Sequence, residues 1–190
     1  MSKRPEPTIR LRDFDLDRVA TNPLTDGFIQ WCVVTPDLDD ACEKIEALYG
    51  AAGFYVMENG PLNDVKLRGE PIDIRVDMAL GYIGDINVEV IRPRPEGDDN
   101  IYTEFLDAHP EGGMHHFGFQ VHDYDAAVDH LMENAGPIEQ EGYFGTGGTR
   151  FAYFDTRSTT GLYTELLWFD PSSSSLMASL KRADGAALLE

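Results

Sequence analysis

Apolar and polar positions alternate along Phe28–Thr35, with Gln30, Cys32 and Val34 on one face and Ile29, Trp31 and Val33 on the other. The period then changes. Beyond Pro36 and Asp37, the apolar residues Leu38, Ala41, Cys42, Ile45 and Leu48 fall at helical spacing, and Gly50 and Gly53 close the helix. Phe54–Glu58 reads as a short strand. Residues 59–71 read as a loop punctuated by Gly60, Pro61 and Gly69, and residues 72–83 and 86–92 as a hairpin turning at Gly84-Asp85. A Pro- and charge-rich stretch, 93–100, leads to a short helix over Ile101–Ala108. A second strand, helix and three strands follow: His115–Val121, Asp123–Asn134, then 138–143, 150–155 and 162–169. In the second strand His116 shares a face with Gly118 and Gln120, while Phe117, Phe119 and Val121 take the helix side. By the same alternation His115 points to the helix side, as a core residue. Gly145, Gly147 and Gly148 mark a turn, Ser172–Ser175 a polar tail, and Ser179–Leu189 a terminal helix.

The two halves repeat one plan. With Gln30 set over His116, Asp37 falls on Asp123, Asp39 on Asp125 and Ala41 on Ala127. Each half runs strand, helix, strand, strand, strand, and each ends in an apolar strand carrying one glutamate, Glu89 or Glu165. The expected fold is α+β: two tandem βαβββ modules forming a curved mixed sheet around a central cavity. The expected boundaries are an N-terminal extension over 1–26, a first module over 27–93, a linker over 94–112, a second module over 113–170 and a C-terminal tail over 171–190.

Gln30 and His116 occupy repeat-equivalent inward positions, and so do Glu89 and Glu165. Burying one lone carboxylate costs several kcal/mol, and two that face each other cost more unless a cation neutralises them. The joint placement therefore points to a metal site built from Gln30, Glu89, His116 and Glu165. One imidazole among oxygen donors suits one divalent ion: Zn, Ni, Co, Mn or Mg.

Composition narrows the partners. Of 190 residues, 42% are hydrophobic, enough for a packed core, and the formal net charge is -19. So acidic a chain is a poor match for nucleic acid or an anionic membrane surface. Met1–Arg10 lacks the pattern of a signal peptide and no apolar run reaches membrane-spanning length, so a cytoplasmic protein is expected, with Cys32 and Cys42 as reduced, buried thiols.

The residues Gln30 with Val34-Thr35-Pro36-Asp37-Leu38, Glu89-Val90-Ile91-Arg92-Pro93, Gly113-Met114-His115-His116-Phe117 and Gly161-Leu162-Tyr163-Thr164-Glu165-Leu166 resemble the vicinal oxygen chelate superfamily over residues 27–170. That superfamily includes glyoxalase I, methylmalonyl-CoA epimerase and bleomycin-resistance proteins. The resemblance implies the same four ligands, in a Gln, Glu, His, Glu order closest to glyoxalase I; epimerases more often place His first and Gln second. It implies a metal-dependent lyase or isomerase in which a carboxylate takes a proton from the carbon beside a metal-bound carbonyl. Glu165 is the expected base, with Glu89 its counterpart on the opposite substrate face; the alternative role for Glu165 is a permanent ligand only. Arg150 and Tyr153, beside the Gly-rich turn, are candidate substrate-binding residues, whereas Arg75 reads as a surface cation. Trp168 and Phe169 read as core or dimer contacts, and the resemblance makes a homodimer plausible. No Lys or Arg stands in Val33–Thr35 or Glu111–Gly113, where glyoxalase I grips glutathione carboxylates. A small or moderately apolar carbonyl substrate is expected, rather than a glutathione adduct or a CoA thioester. The same fold also serves metal-free proteins that sequester small molecules, which is the competing expectation. A ring-cleaving dioxygenase of the same superfamily would use two His and one Glu at iron, and of the imidazoles only His116 is placed for that.

Overall fold

A computed structural model describes residues 17, 21–25, 27–145 and 148–182. Most of the expected N-terminal extension, Gly147 and the last part of the tail lie outside the described residues.

The first half contains β1 (Phe28–Val34), α1 (Leu38–Tyr49), β2 (Phe54–Met57), β3 (Leu62–Leu67), β4 (Glu70–Pro71), β5 (Val76–Ile83) and β6 (Ile86–Pro93). A connecting helix α2 (Ile101–Ala108) leads to β7 (Gly113–Gln120), α3 (Tyr124–Asn134), β8 (Ile138–Phe144), β9 (Thr149–Phe154), α4 (Arg157–Thr160), β10 (Tyr163–Trp168) and α5 (Pro171–Arg182). All ten strands form one curled sheet in the order β2-β5-β6-β1-β7-β10-β9-β8-β3-β4.

The repeat is visible in the pairing. β1 runs parallel to β6, and β7 runs parallel to β10. The two half-sheets join through the antiparallel pair β1–β7. The matched aspartates also have the same local job. Asp37 caps α1 by accepting from the Asp40 N–H, and Asp123 caps α3 by accepting from the Ala126 N–H. Each satisfies an amide that the first helical turn leaves without a partner. Trp31 and Val33 pack under α1 with Leu38, Cys42 and Ile45; Phe119 and Val121 pack under α3 with Ala127 and Leu131. Both convex faces are thus covered by helices, which leaves the concave faces to form the cavity.

Several features depart from the sequence-based expectation, the short helix α4 among them. The stretch 59–71 is not a loop: β3 and β4 form a hairpin that crosses to the second half, where β3 pairs with β8. Asp64 adopts a positive φ of 49°, and the β3–β8 register shifts between Asn63 and Lys66. That bulge breaks the two-residue alternation by which a strand is read. The helix expected at Ser179 begins at Pro171, because Asp170 accepts from the Ser173 N–H at 2.7 Å and Pro suits the first helical position. Ile29 joins the cavity-side cluster rather than the layer under α1, next to a register irregularity between Phe28 and Gln30.

Candidate functional site

The register of four central strands builds the site. Gln30 on β1 lies opposite Gly118 on β7, and Gly118 lies opposite Glu165 on β10. One step along, Glu89 on β6 lies opposite Cys32, and Cys32 lies opposite His116. The arrangement is two-fold about the β1–β7 seam: each glutamate faces the residue two positions beyond its half's Gln30 or His116. Gln30, Glu89, His116 and Glu165 are all 5% exposed or less.

His116 stands between the two carboxylates. Its Nε2 is 3.3 Å from Glu89 Oε2 and 3.3 Å from Glu165 Oε2. None of these three atoms has a partner in hydrogen-bond geometry, although all are buried. Buried polar atoms are nearly always satisfied, so a converging set of orphans marks a place built for something else. Burial lowers the proton affinity of His116, but Glu165 and Glu89 beside it outweigh burial and raise its pKa to about 9. Burial raises Glu165, against the opposing effect of His116 and Tyr153, while Glu89 adds to the rise. Two carboxylates and one ring nitrogen, unpartnered and convergent, fit a divalent cation by donor chemistry. Gln30 offers a further oxygen. An ideal Cβ built on Gly118 would fall 2.9 Å from Gln30 Cβ and 3.0 Å from its Oε1, so the glycine makes room for the carboxamide.

His115 is the residue whose place the sequence reading missed, and Cys32, buried as expected, is one whose cross-strand neighbours it did not show. Register partners on β7 jump from His116 to Met114, leaving His115 as the extra residue of a bulge. Its ring therefore packs against Tyr102 and Phe105 of α2 and stacks on Tyr163 at 4.9 Å, instead of lying under α3. Its Nδ1 is 2.9 Å from His116 Nδ1. Burial first, and then His116, depress the His115 pKa well below the usual histidine range. A neutral His115 that accepts at Nδ1 holds the His116 proton on Nδ1, which leaves His116 Nε2 free to act as a ligand. Cys32 Sγ, a Glu89 carboxylate oxygen and a His116 ring nitrogen all lie within 4.8 Å of one another. Both cysteines are free and buried, as expected. The signals available in the sequence were the paired histidines and a thiol two residues from Gln30 on the same strand face.

The cavity above this cluster holds about 680 Å³, its open mouth included. Gln30, Glu89 and Glu165 reach it, and the rest of its wall is mostly apolar, with Met78, Phe144, Phe151 and Leu167 prominent. Tyr153 lines it beside His116, with ring centroids 5.0 Å apart, and accepts a 2.9 Å hydrogen bond from the Tyr102 hydroxyl. The inward placement of Tyr153 keeps it at the site. Arg150 does not belong there. It alternates with Phe151 on β9, and its guanidinium lies over the Tyr124 ring at 3.8 Å, on the α3 side of the sheet. Arg75 pairs with Asp73 at the surface, as expected. Phe169 lines the cavity, and Trp168 packs in the layer under α3.

Two fused βαβββ units with a polar cluster at their two-fold seam define a curled half-barrel, and the comparisons give that class its name. The family model for the Glyoxalase/Bleomycin resistance protein/Dioxygenase superfamily matches residues 29–153, and the chain belongs to that superfamily. A curated relative, methylmalonyl-CoA epimerase, mitochondrial, of Dictyostelium discoideum, is 26% identical over 136 residues, covering 70% of this chain and 73% of the relative. The crystal structure of methylmalonyl-CoA epimerase from Mycobacterium tuberculosis superposes with a TM-score of 0.54 at 20% identity, over 82% of this chain and 95% of that one. A Streptomyces coelicolor methylmalonyl-CoA epimerase variant in complex with 2-nitronate-propionyl-CoA gives 0.51 at 19% identity, over 77% and 96%. These relatives are epimerases, an isomerase class, and they lend no support to the narrower likeness to glyoxalase I. Among the described residues, no helix is long and apolar enough to cross a membrane.

Proposed function

We propose that this chain is an isomerase or lyase that moves a proton at the carbon beside a substrate carbonyl, on a divalent metal held by Gln30, Glu89, His116 and Glu165. The observation that carries this reading is the convergence of Glu89 Oε2, His116 Nε2 and Glu165 Oε2, buried and unpartnered, where Glu89 and Glu165 line the cavity. When bound, the cation supplies Lewis-acid stabilisation of the negative charge that develops on the substrate oxygen. The rest falls to the protein. Glu165 is the base; its raised proton affinity suits a group that must take a proton and keep it briefly. Glu89 flanks the same imidazole from the other half of the sheet, positioned to return the proton on the opposite face. Tyr153 stands over His116 and restrains Glu165. His115 fixes the orientation of the His116 ring. The apolar wall excludes water, which would quench the carbanionic charge and weaken every electrostatic contact.

The substrate class follows from the wall. Among the described residues no Lys or Arg lines it, so those residues give a carboxylate or phosphate inside it no fixed counter-charge. A carbonyl compound with an apolar body fits best. The epimerase relatives justify screening short acyl-CoA esters beside it, with the nucleotide outside the cavity.

The test is metal content by elemental analysis on untagged protein, followed by substrate hydrogen exchange in deuterated water. About one divalent ion per chain is expected in the wild type, and exchange is expected to fall by about 10²–10⁴-fold in Glu165→Gln. A wild type that stays metal-free after incubation with Zn, Ni, Co and Mn would overturn the reading and favour a sequestering protein of the same fold.

A further inference from the structure

We propose that Cys32 is a fifth donor, a thiolate bound to the same cation, which turns an oxygen-rich site towards borderline-soft ions such as zinc and cobalt. This inference rests on the metal reading above and adds a ligand to it. Cys32 is the residue of β1 directly opposite both Glu89 and His116. Its sulfur is within 4.8 Å of their ligand atoms, and the side chain is fully buried. Its thiol makes a long 3.5 Å contact to the Val33 carbonyl and also faces the Glu89 carboxylate. The independent sign of a ligand is that His116 Nε2 and Glu89 Oε2, the two groups it faces, are buried without partners. The repeat sharpens the point. The equivalent position in the second half is Gly118, which carries no side chain, so a sulfur donor comes from the first half alone. On binding, the thiol proton leaves to solvent and a sulfur–metal bond forms in its place, as is general for thiolate ligands. Thiolate donation selects zinc and cobalt over magnesium and manganese.

The experiment loads metal-free, full-length protein with cobalt(II) alone and records its absorption spectrum. A near-ultraviolet thiolate-to-cobalt charge-transfer band, saturating at about one cobalt per chain, is the expected result. It should be lost in Cys32→Ser, with cobalt still bound through the other ligands, and retained in Cys42→Ser, whose sulfur lies under α1. Bound cobalt with visible bands but no charge-transfer band overturns the Cys32 proposal and leaves the metal site standing. A band that survives Cys32→Ser overturns it equally. Failure to take up cobalt at all overturns the metal reading itself. If Cys32→Ser does not fold, cadmium NMR of the wild type decides the matter: a signal in the sulfur-ligated range supports the proposal, and one in the all-oxygen and nitrogen range sinks it.

Discussion

In the first half of the sheet Glu89 stands opposite Cys32, two residues beyond Gln30; in the second, Glu165 stands opposite Gly118, two residues beyond His116. The backbone registers match, and so do the helix caps Asp37 and Asp123. The side chains at the seam do not. One half offers an amide and a thiol, the other an imidazole and an empty position. Duplication accounts for the scaffold and for the paired carboxylates. Divergence at the seam sets what those carboxylates can hold, because two buried negative charges are tolerable only with a cation between them. In the metal-free protein that cation is the His116 imidazolium, and the second half alone provides it.

The comparison breaks most completely at His116. In metal-free protein, His116→Ala removes the imidazolium and leaves Glu89 and Glu165 facing each other. A loss of about 3–5 kcal/mol in unfolding free energy is expected, as for other buried pairs deprived of one partner. Gln30→Ala, at the equivalent position, removes a neutral donor and should cost about 1 kcal/mol. Denaturant titration of both variants, prepared without metal, measures the difference. Equal losses would mean that the two positions are interchangeable and that the imidazolium does not neutralise the site.

The two glutamates give the next contrast. If Glu165 takes the proton and Glu89 returns it, Glu165→Gln should abolish exchange of the substrate hydrogen with solvent. Glu89→Gln should keep exchange within about 10-fold while lowering inversion of configuration by about 10²-fold or more. Following deuterium incorporation and optical rotation in the same sample separates the two. Identical losses of both signals in both variants would show that the carboxylates act only as ligands.

Much of this was legible because the two periods of regular structure are strong signals. β1 alternates, β6 and β10 read as apolar strands each carrying one glutamate, and the caps and glycines around α1 and α3 mark their ends. The four-residue cluster emerged from repeat equivalence before any geometry was known. The readings that failed did so where a bulge cancels alternation. The positive φ of Asp64 hid β3, and the extra residue in β7 sent His115 towards α2 and into contact with His116. Arg150 was misplaced for another reason. It neighbours a Gly-rich turn in sequence, but one-residue alternation on β9 puts it on the face opposite Tyr153. Cys32 was read by residue type, as a small buried thiol, although its strand face was known. Pairing across strands, which local periodicity does not encode, is what brings it to Glu89 and His116.

The smallest effect on function is expected at the empty position itself. Gly118→Ala places a methyl group 2.9 Å from Gln30 Cβ, 3.0 Å from its Oε1 and 3.3 Å from Leu167 Cδ1. Those contacts are too close to keep, so the Gln30 side chain must give way. The carboxamide can turn aside on its stem, but Gln30 Cβ is fixed to β1, so the β1–β7 backbone must shift as well and the cost in stability should be about 1–3 kcal/mol. The functional consequence is more specific than the stability loss. Gln30 loses its place in the ligand set while Glu89, His116 and Glu165 keep theirs, so the protein should retain a metal ion but bind it more weakly, by about 10-fold. Competition with a coloured chelator measures this directly. Combined with Cys32→Ala, the Gly118→Ala change leaves a methyl group at both positions, and the two halves become alike there. If Gly118→Ala bound metal as tightly as the wild type, Gln30 would be no ligand, and the division of labour between the halves would reduce to one imidazole set between two carboxylates.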